Sequence, residues 1–153
     1  MEKYQNLTAN IGIILKKTRL MEKYIHGFQI RKIFPFHLIL GSPDWQSYGS
    51  ILGECQKELK SQENFIKKEL KKSNTKSINS YLQALSHSLP KIEHMIQNLI
   101  NSNELHSDRF FNTKEVSLSE LNQIMKKYQE SEEDYLRHAG ELGVLYSKLL
   151  KEN

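Results

Sequence analysis

The chain has 153 residues, of which 38% are apolar and 26% charged, and its net charge is +4. This composition argues against wholesale disorder, and the length fits a single domain spanning residues 1–153. No apolar run approaches the roughly 20 residues that a membrane-spanning helix needs. The N-terminus lacks the features of a secretory signal, and the single cysteine, Cys55, cannot form an internal disulfide. We therefore expect a cytoplasmic protein.

The first predicted helix covers residues 2–27. Its apolar positions alternate at spacings of three and four, a pattern that places one apolar stripe along a helix. The stripe comprises Tyr4, Leu7, Ile11, Ile14, Thr18, Met21, Ile25 and Phe28. Gly27 lies where helices commonly end.

Residues 33–41 form the least helical-looking segment of the sequence. Pro35 removes a helical hydrogen bond, and Phe36 and Leu38 belong to a run too apolar for an exposed loop. We predict a buried connection packed across one end of a helical bundle. The alternative is that this segment forms a docking surface for a partner.

The second predicted helix covers residues 43–72. Ser42 can cap it, Pro43 suits its first position, and Asp44 complements the helix dipole. The apolar stripe then comprises Trp45, Tyr48, Leu52, Cys55, Leu59, Gln62, Ile66 and Leu70.

The third and fourth helices are predicted at residues 75–101 and 118–151, separated by a linker at 102–116. Pro90 lies inside the third helix, where proline produces a kink or a break. Ser117 and Glu120 form a capping box that begins the fourth helix. These patterns predict an all-α fold, namely an antiparallel bundle of about four long helices with coiled-coil-like packing and a kink at Pro90.

His87 lies on the outward face of the third predicted helix, within the string Ser86-His87-Ser88-Leu89-Pro90-Lys91. This string resembles the phospho-accepting histidine segment of histidine-phosphotransfer bundles, with Leu89 two residues after the histidine. Pro90 stands where that family has lysine, and the following glycine is absent. The resemblance implies a phosphotransfer role for His87 as one alternative function.

Arg19 and His26 are separated by six residues, a spacing similar to the Arg–His pair of HEPN-type ribonucleases. Both residues project to the outward face of the first predicted helix, where a dimer could bring them together. Arg31 and His37, with five residues between them, also fit the four to six residues that separate the pair in that family, but Pro35 lies between them. The resemblance implies a ribonuclease alternative with Arg19 and His26 as catalytic residues.

Metal and nucleic-acid sites have little support in the sequence. No Glu-x-x-His pair occurs, so we predict no metal site and no cofactor. The lysines of residues 57–76 alternate with glutamates, and no aromatic residue alternates with the lysines to stack bases. We therefore expect no nucleic-acid-binding residues, although a basic nucleic-acid-associated protein remains an alternative.

The favoured function is a non-enzymatic protein-binding module: an adaptor, a chaperone-like factor or a regulatory or inhibitory partner. No catalytic constellation is apparent, and the chain is rich in amphipathic aromatic residues of the kind found at interfaces. The partner is expected to be another protein or a second copy of the chain. The candidate protein-binding residues are Phe36, Leu38, Trp45 and Tyr48.

Overall fold

The computed structural model describes residues 1–27, 30–32, 36–73 and 75–152. These residues form helices joined by short turns and contain no strand, which confirms the all-α prediction. The elements are α1 (Glu2–His26), a 3-10 turn (Ile30–Lys32), α2 (Phe36–Leu40), α3 (Trp45–Leu70), α4 (Lys76–Phe111) and α5 (Leu118–Lys151).

The stripe predicted for α1 is buried at every position that the structure describes, from Tyr4 to Ile25. Thr18 is the one polar member, and its Oγ1 donates to Ile14 O at 2.8 Å, so the hydroxyl is satisfied inside the core. Phe28, the last predicted member, lies outside the described residues. The spacing of three and four therefore identified the buried face of this helix.

Helix α4 lies at the centre of the fold and packs against α1, α3 and α5. Hydrogen bonds join the beginning of α3 to the later part of α4: Asn103 Nδ2 donates to Trp45 O at 2.9 Å, and Gln56 Nε2 donates to Gln97 Oε1 at 2.9 Å. With neighbours on three sides, α4 supplies twelve buried residues, more than any other helix.

The prediction of a linker at residues 102–116 is wrong for most of these residues. Helix α4 continues to Phe111 and ends at Asn112, which adopts a left-handed conformation with φ 53°. The polar residues Ser102 and Asn103, which suggested a loop, are buried and hydrogen-bonded to other helices. Tertiary partners thus make these polar residues compatible with a buried helix.

The capping residue was predicted correctly for α5 but not for α3. The capping box of Ser117 and Glu120 forms as predicted at the start of α5. Helix α3, however, begins at Trp45, and Asp44 Oδ1 accepts from Ser47 N at 2.9 Å. Asp44 is therefore the N-cap in place of Ser42, because its carboxylate reaches the free backbone donors of the first turn.

Pro90 lies within α4, and the helix continues through it from Lys76 to Phe111. The alternative of a break at this residue is therefore wrong. Proline has no backbone donor, so the Ser86 carbonyl loses its usual helical partner. Pro90 is exposed, which lets water reach this part of the backbone.

The prediction that residues 33–41 form a buried connection is wrong at the C-terminal end of this segment. Leu38 and Ile39 are 69% and 79% exposed, and Leu40 is also exposed. Their helix, α2, packs mainly against the 3-10 turn. Because α2 makes few contacts with the long helices, these apolar side chains remain in solvent. Residues 33–35 lie outside the described residues.

We expect Asn103→Ala to lower the free energy of unfolding by about 1–3 kcal/mol, because it removes the bond to Trp45 O and leaves a buried carbonyl without that donor. Urea unfolding measures the change. Asn101→Ala is the control on the same helix, since the Asn101 side chain accepts an exposed hydrogen bond from Gln97. Equal effects of the two substitutions would contradict the proposed importance of the buried bond.

Candidate functional site

Three consecutive apolar residues of α2 project from one end of the fold. We call Leu38, Ile39 and Leu40 the α2 patch; all three are exposed. The neighbouring His37 is partly buried, and its ring meets Phe110 of α4 edge-on, with 5.3 Å between ring centroids. The patch is therefore presented to solvent on a helix whose other side contacts the bundle.

An aromatic cluster underlies this end of the bundle. The Trp45 ring stacks on His106 at 6.0 Å and meets Tyr48 edge-on at 5.9 Å. Tyr48 in turn stacks on Tyr24 at 5.3 Å, with the rings nearly parallel. Stacked and edge-on rings add directional contacts to the burial of apolar area. The cluster thereby fixes the start of α3 against α1 and α4.

The structure separates the predicted protein-binding residues into two groups. Leu38 is exposed, whereas Trp45 is only 4% exposed and Tyr48 is partly buried. Phe36 begins α2, but its side chain lies outside the described part of the structure. Leu38 is thus exposed and available for direct contact with a partner, whereas Trp45 packs in the bundle beneath α2. The sequence did not single out Ile39 and Leu40, although they lie in the same apolar run.

His26 does not lie on an outward face, as the sequence suggested; its side chain is 5% exposed. Its Nε2 lies 2.7 Å from Ser102 Oγ, and its ring meets Tyr128 at 5.6 Å. Burial lowers the pKa of His26 to about 4. The helical projection failed because Ser102 of α4 and Tyr128 of α5 contact His26, which lies outside the apolar stripe of α1.

Glu22, His26 and Ser102 lie side by side, with the imidazole between the carboxylate and the hydroxyl, as in an acid–histidine–serine triad. His26 Nδ1 is 3.7 Å from Glu22 Oε1, and its other nitrogen faces Ser102. Ser102 is fully buried, however, so no substrate can reach its hydroxyl. Arg19, the other candidate nuclease residue, pairs instead with Glu132, with 3.7 Å between Nε and Oε1. The structure does not bring Arg19 and His26 together within the chain.

His87 lies exposed in a groove of about 960 Å³ between α4 and α5. His94 and His138 also line this groove, and Lys91 Nζ crosses it to Asp134 Oδ2 at 2.6 Å. Across the described ranges, no three His, Cys, Asp or Glu side chains are arranged to hold a metal ion. The groove offers exposed imidazoles but no converging set of ligands.

A second apolar surface lies between α1 and α5. This groove, of about 570 Å³, contains Leu15, Leu20 and Leu136 above Met95 of α4, and Lys16, Arg19 and Lys23 are its charged lining residues. Farther along α5, a Cβ added at Gly140 or Gly143 would meet nothing within 4 Å. Among the described residues, therefore, no neighbouring helix approaches these glycines closely.

The basic side chains that suggested a nucleic-acid surface are partly neutralised. Lys67 Nζ lies 2.5 Å from Glu63 Oε1 one turn earlier, and Lys17 Nζ lies 3.0 Å from Glu58 Oε1. Such exposed pairs contribute little to stability, but they reduce the positive field that phosphates would meet. None of the described helices has the length and apolarity needed to cross a membrane.

Comparison of the chain with protein-family models, with curated proteins and with solved structures finds no match.

We expect acidification from pH 7 to pH 5 to destabilise the protein through His26 and His106. Burial lowers the pKa of each to about 4 in the folded state, from 6.5. The unfolded chain therefore binds more protons between these values, and stability falls as the pH drops through 6.5. Each histidine contributes a loss of about 1–2 kcal/mol at pH 5.

Urea unfolding at several pH values measures this dependence in the wild type and in His106→Gln. The variant should lose about half of the pH-dependent change. His87→Gln is the control, because His87 is exposed. A wild-type stability that stays constant between pH 7 and pH 5 would contradict the burial of neutral imidazoles.

Proposed function

We propose that the protein is a non-enzymatic cytoplasmic binding module, an adaptor, chaperone-like factor or regulatory partner, that binds another protein through the α2 patch. The observation that carries this proposal is the exposure of Leu38 and Ile39, at 69% and 79%, on a helix that packs mainly against the preceding turn. Contiguous apolar residues held in solvent are typical of interaction surfaces.

The base of the patch supports the proposal. Helix α2 is fixed on one side by the contact of His37 with Phe110. The adjoining 3-10 turn is fixed by Lys32, whose Nζ donates to Ile25 O at 2.7 Å and to Gly27 O at 2.9 Å. An apolar surface on a firm base loses less conformational entropy on binding than a disordered one.

The charge distribution indicates the partner's chemistry. Residues 1–73 carry the excess of basic side chains, 13 against 7 acidic, and this half includes the α2 patch. Arg31, in the 3-10 turn before α2, is exposed. We therefore expect a partner with an apolar contact area and an acidic rim, because complementary charges accelerate association and fix orientation.

The Leu38→Asp variant tests the patch. A charge at this exposed position should leave the melting temperature within a few degrees of wild type but weaken partner binding at least about tenfold, because the carboxylate would be desolvated at the interface. The partner is first isolated from the native host with the wild-type chain, then purified, and its affinity is measured by calorimetry.

Leu136→Asp is the matched control, since Leu136 is an exposed leucine in the separate groove between α1 and α5. Loss of binding in Leu136→Asp but not in Leu38→Asp would show that the partner binds in that groove instead. Binding to anionic lipid vesicles in place of a protein, or RNA cleavage abolished by Arg19→Ala, would overturn the proposed function.

We also propose that the four long helices form an antiparallel bundle with coiled-coil-like packing and that α4 bends at Pro90. The supporting contacts pair opposite ends of neighbouring helices. Lys3 of α1 hydrogen-bonds to Glu69 of α3, and Tyr24 of α1 stacks on Tyr48 of α3. Pro90 removes one backbone bond from α4, which favours a bend at that turn.

Pro90→Ala should leave stability unchanged or raise it, because the new backbone donor can reach the Ser86 carbonyl. Thermal unfolding measures the effect, and His94→Ala, at an exposed position on the same helix, is the control. A loss of several kcal/mol in the proline variant alone would show that the surrounding helices are packed around a required bend.

A further inference from the structure

A cavity of about 360 Å³ lies beneath α2, where the 3-10 turn, α3, α4 and α5 meet. Its described lining residues are Lys32, His37, Trp45, His106, Arg109, Phe110 and Leu121. Lys32 and Arg109 are the cationic side chains of this lining, and none of the described lining residues is acidic. The volume falls within the range of small-molecule sites.

Lys32 is the most buried cation of the cavity. Its Nζ donates to two backbone carbonyls and lies 5.3 Å from the centre of the Trp45 ring. No carboxylate of the described residues pairs with it. Burial accordingly lowers the pKa of Lys32 to about 8. A partly buried ammonium without a counter-ion is costly to the folded protein.

The opposite wall adds further donors. Arg109 donates from Nη1 to Val116 O at 2.6 Å, which holds its guanidinium near the cavity and leaves other N–H groups of the fork for a ligand. Trp45 Nε1 is buried and has no hydrogen-bond partner among the described residues. His106 stacks on Trp45, and burial together with the charge of Lys32 lowers its pKa to about 4.

A single kind of ligand would complement all of these side chains. An oxyanion in the cavity would supply the missing counter-charge for Lys32 and Arg109, and it would accept the hydrogen bond that Trp45 Nε1 lacks. Phe110 and Leu121 offer apolar contact to the organic part of a ligand. We propose that this cavity binds a small organic molecule carrying a phosphate or similar oxyanion group, a role separate from protein binding by the α2 patch.

Trp45 provides a direct probe of occupancy because it is the single tryptophan of the chain. Inorganic phosphate and phenyl phosphate are titrated against chloride at matched ionic strength, with Trp45 fluorescence and the indole Nε1–H resonance as readouts. Both phosphates should give saturable changes, and phenyl phosphate should bind more tightly because its ring reaches the apolar wall. A phosphoserine peptide that binds more tightly than phenyl phosphate would overturn the small-molecule assignment.

Arg109→Gln should weaken phosphate binding about tenfold, the loss expected for a charge-assisted hydrogen bond. Lys57→Gln is the control, because Lys57 is an exposed lysine on α3 remote from the cavity lining. Equal effects of the two substitutions, or a Trp45 response that does not saturate, would overturn the proposal.

Lys32→Gln separates binding from folding. Without phosphate it should lower the melting temperature, because the two bonds from Lys32 to Ile25 O and Gly27 O are removed, and it should abolish the additional stabilisation that phosphate gives the wild type. Phosphate stabilisation that persists unchanged in Lys32→Gln would assign the effect to general salt action and overturn the site.

Discussion

Helix α4 packs against α1, α3 and α5 at once, and the position of every other long helix depends on that contact. Its buried face includes large apolar residues such as Tyr81 and Leu99, but also Asn98, Ser102 and Asn103. Apolar burial supplies most of the driving force and has no direction, whereas the polar groups must meet specific partners. Asn103 meets the backbone of α3, and Asn98 Nδ2 lies 3.3 Å from Ser131 Oγ of α5.

The end of the fold near Trp45 differs from the rest of the core in its electrostatics. His26 and His106 are held neutral there, with ring centroids 6.0 Å apart, and Lys32 lies partly buried nearby. Three titratable groups are thus placed where burial disfavours their protonated forms. The burial of the two histidines is therefore expected to lower stability at acidic pH.

The two apolar surfaces described above differ in shape. The α2 patch protrudes on a five-residue helix, whereas the groove between α1 and α5 is concave and has a floor formed by Met95 of α4. The groove exists because α4, which contacts both helices, holds α1 and α5 apart. A protruding patch suits insertion into a partner's pocket, and a groove suits an incoming helix. The substitutions at Leu38 and Leu136 distinguish these two modes.

The sequence by itself determined the helical class, the buried stripe of α1 and the capping box at Ser117, because these depend on local spacing and local hydrogen bonds. It misjudged Ser102 and Asn103 as linker residues and His26 as outward, and it favoured a buried segment at residues 33–41 over the alternative of a docking surface that includes Leu38. Each of these errors concerns a side chain whose environment is set by residues far away in the chain. Only the tertiary structure paired Ser102 with His26 and Asn103 with Trp45. Leu38 is left in solvent because α2 packs mainly against the 3-10 turn rather than against the long helices. Periodicity reports which face of a helix is apolar, whereas burial depends on what covers that face.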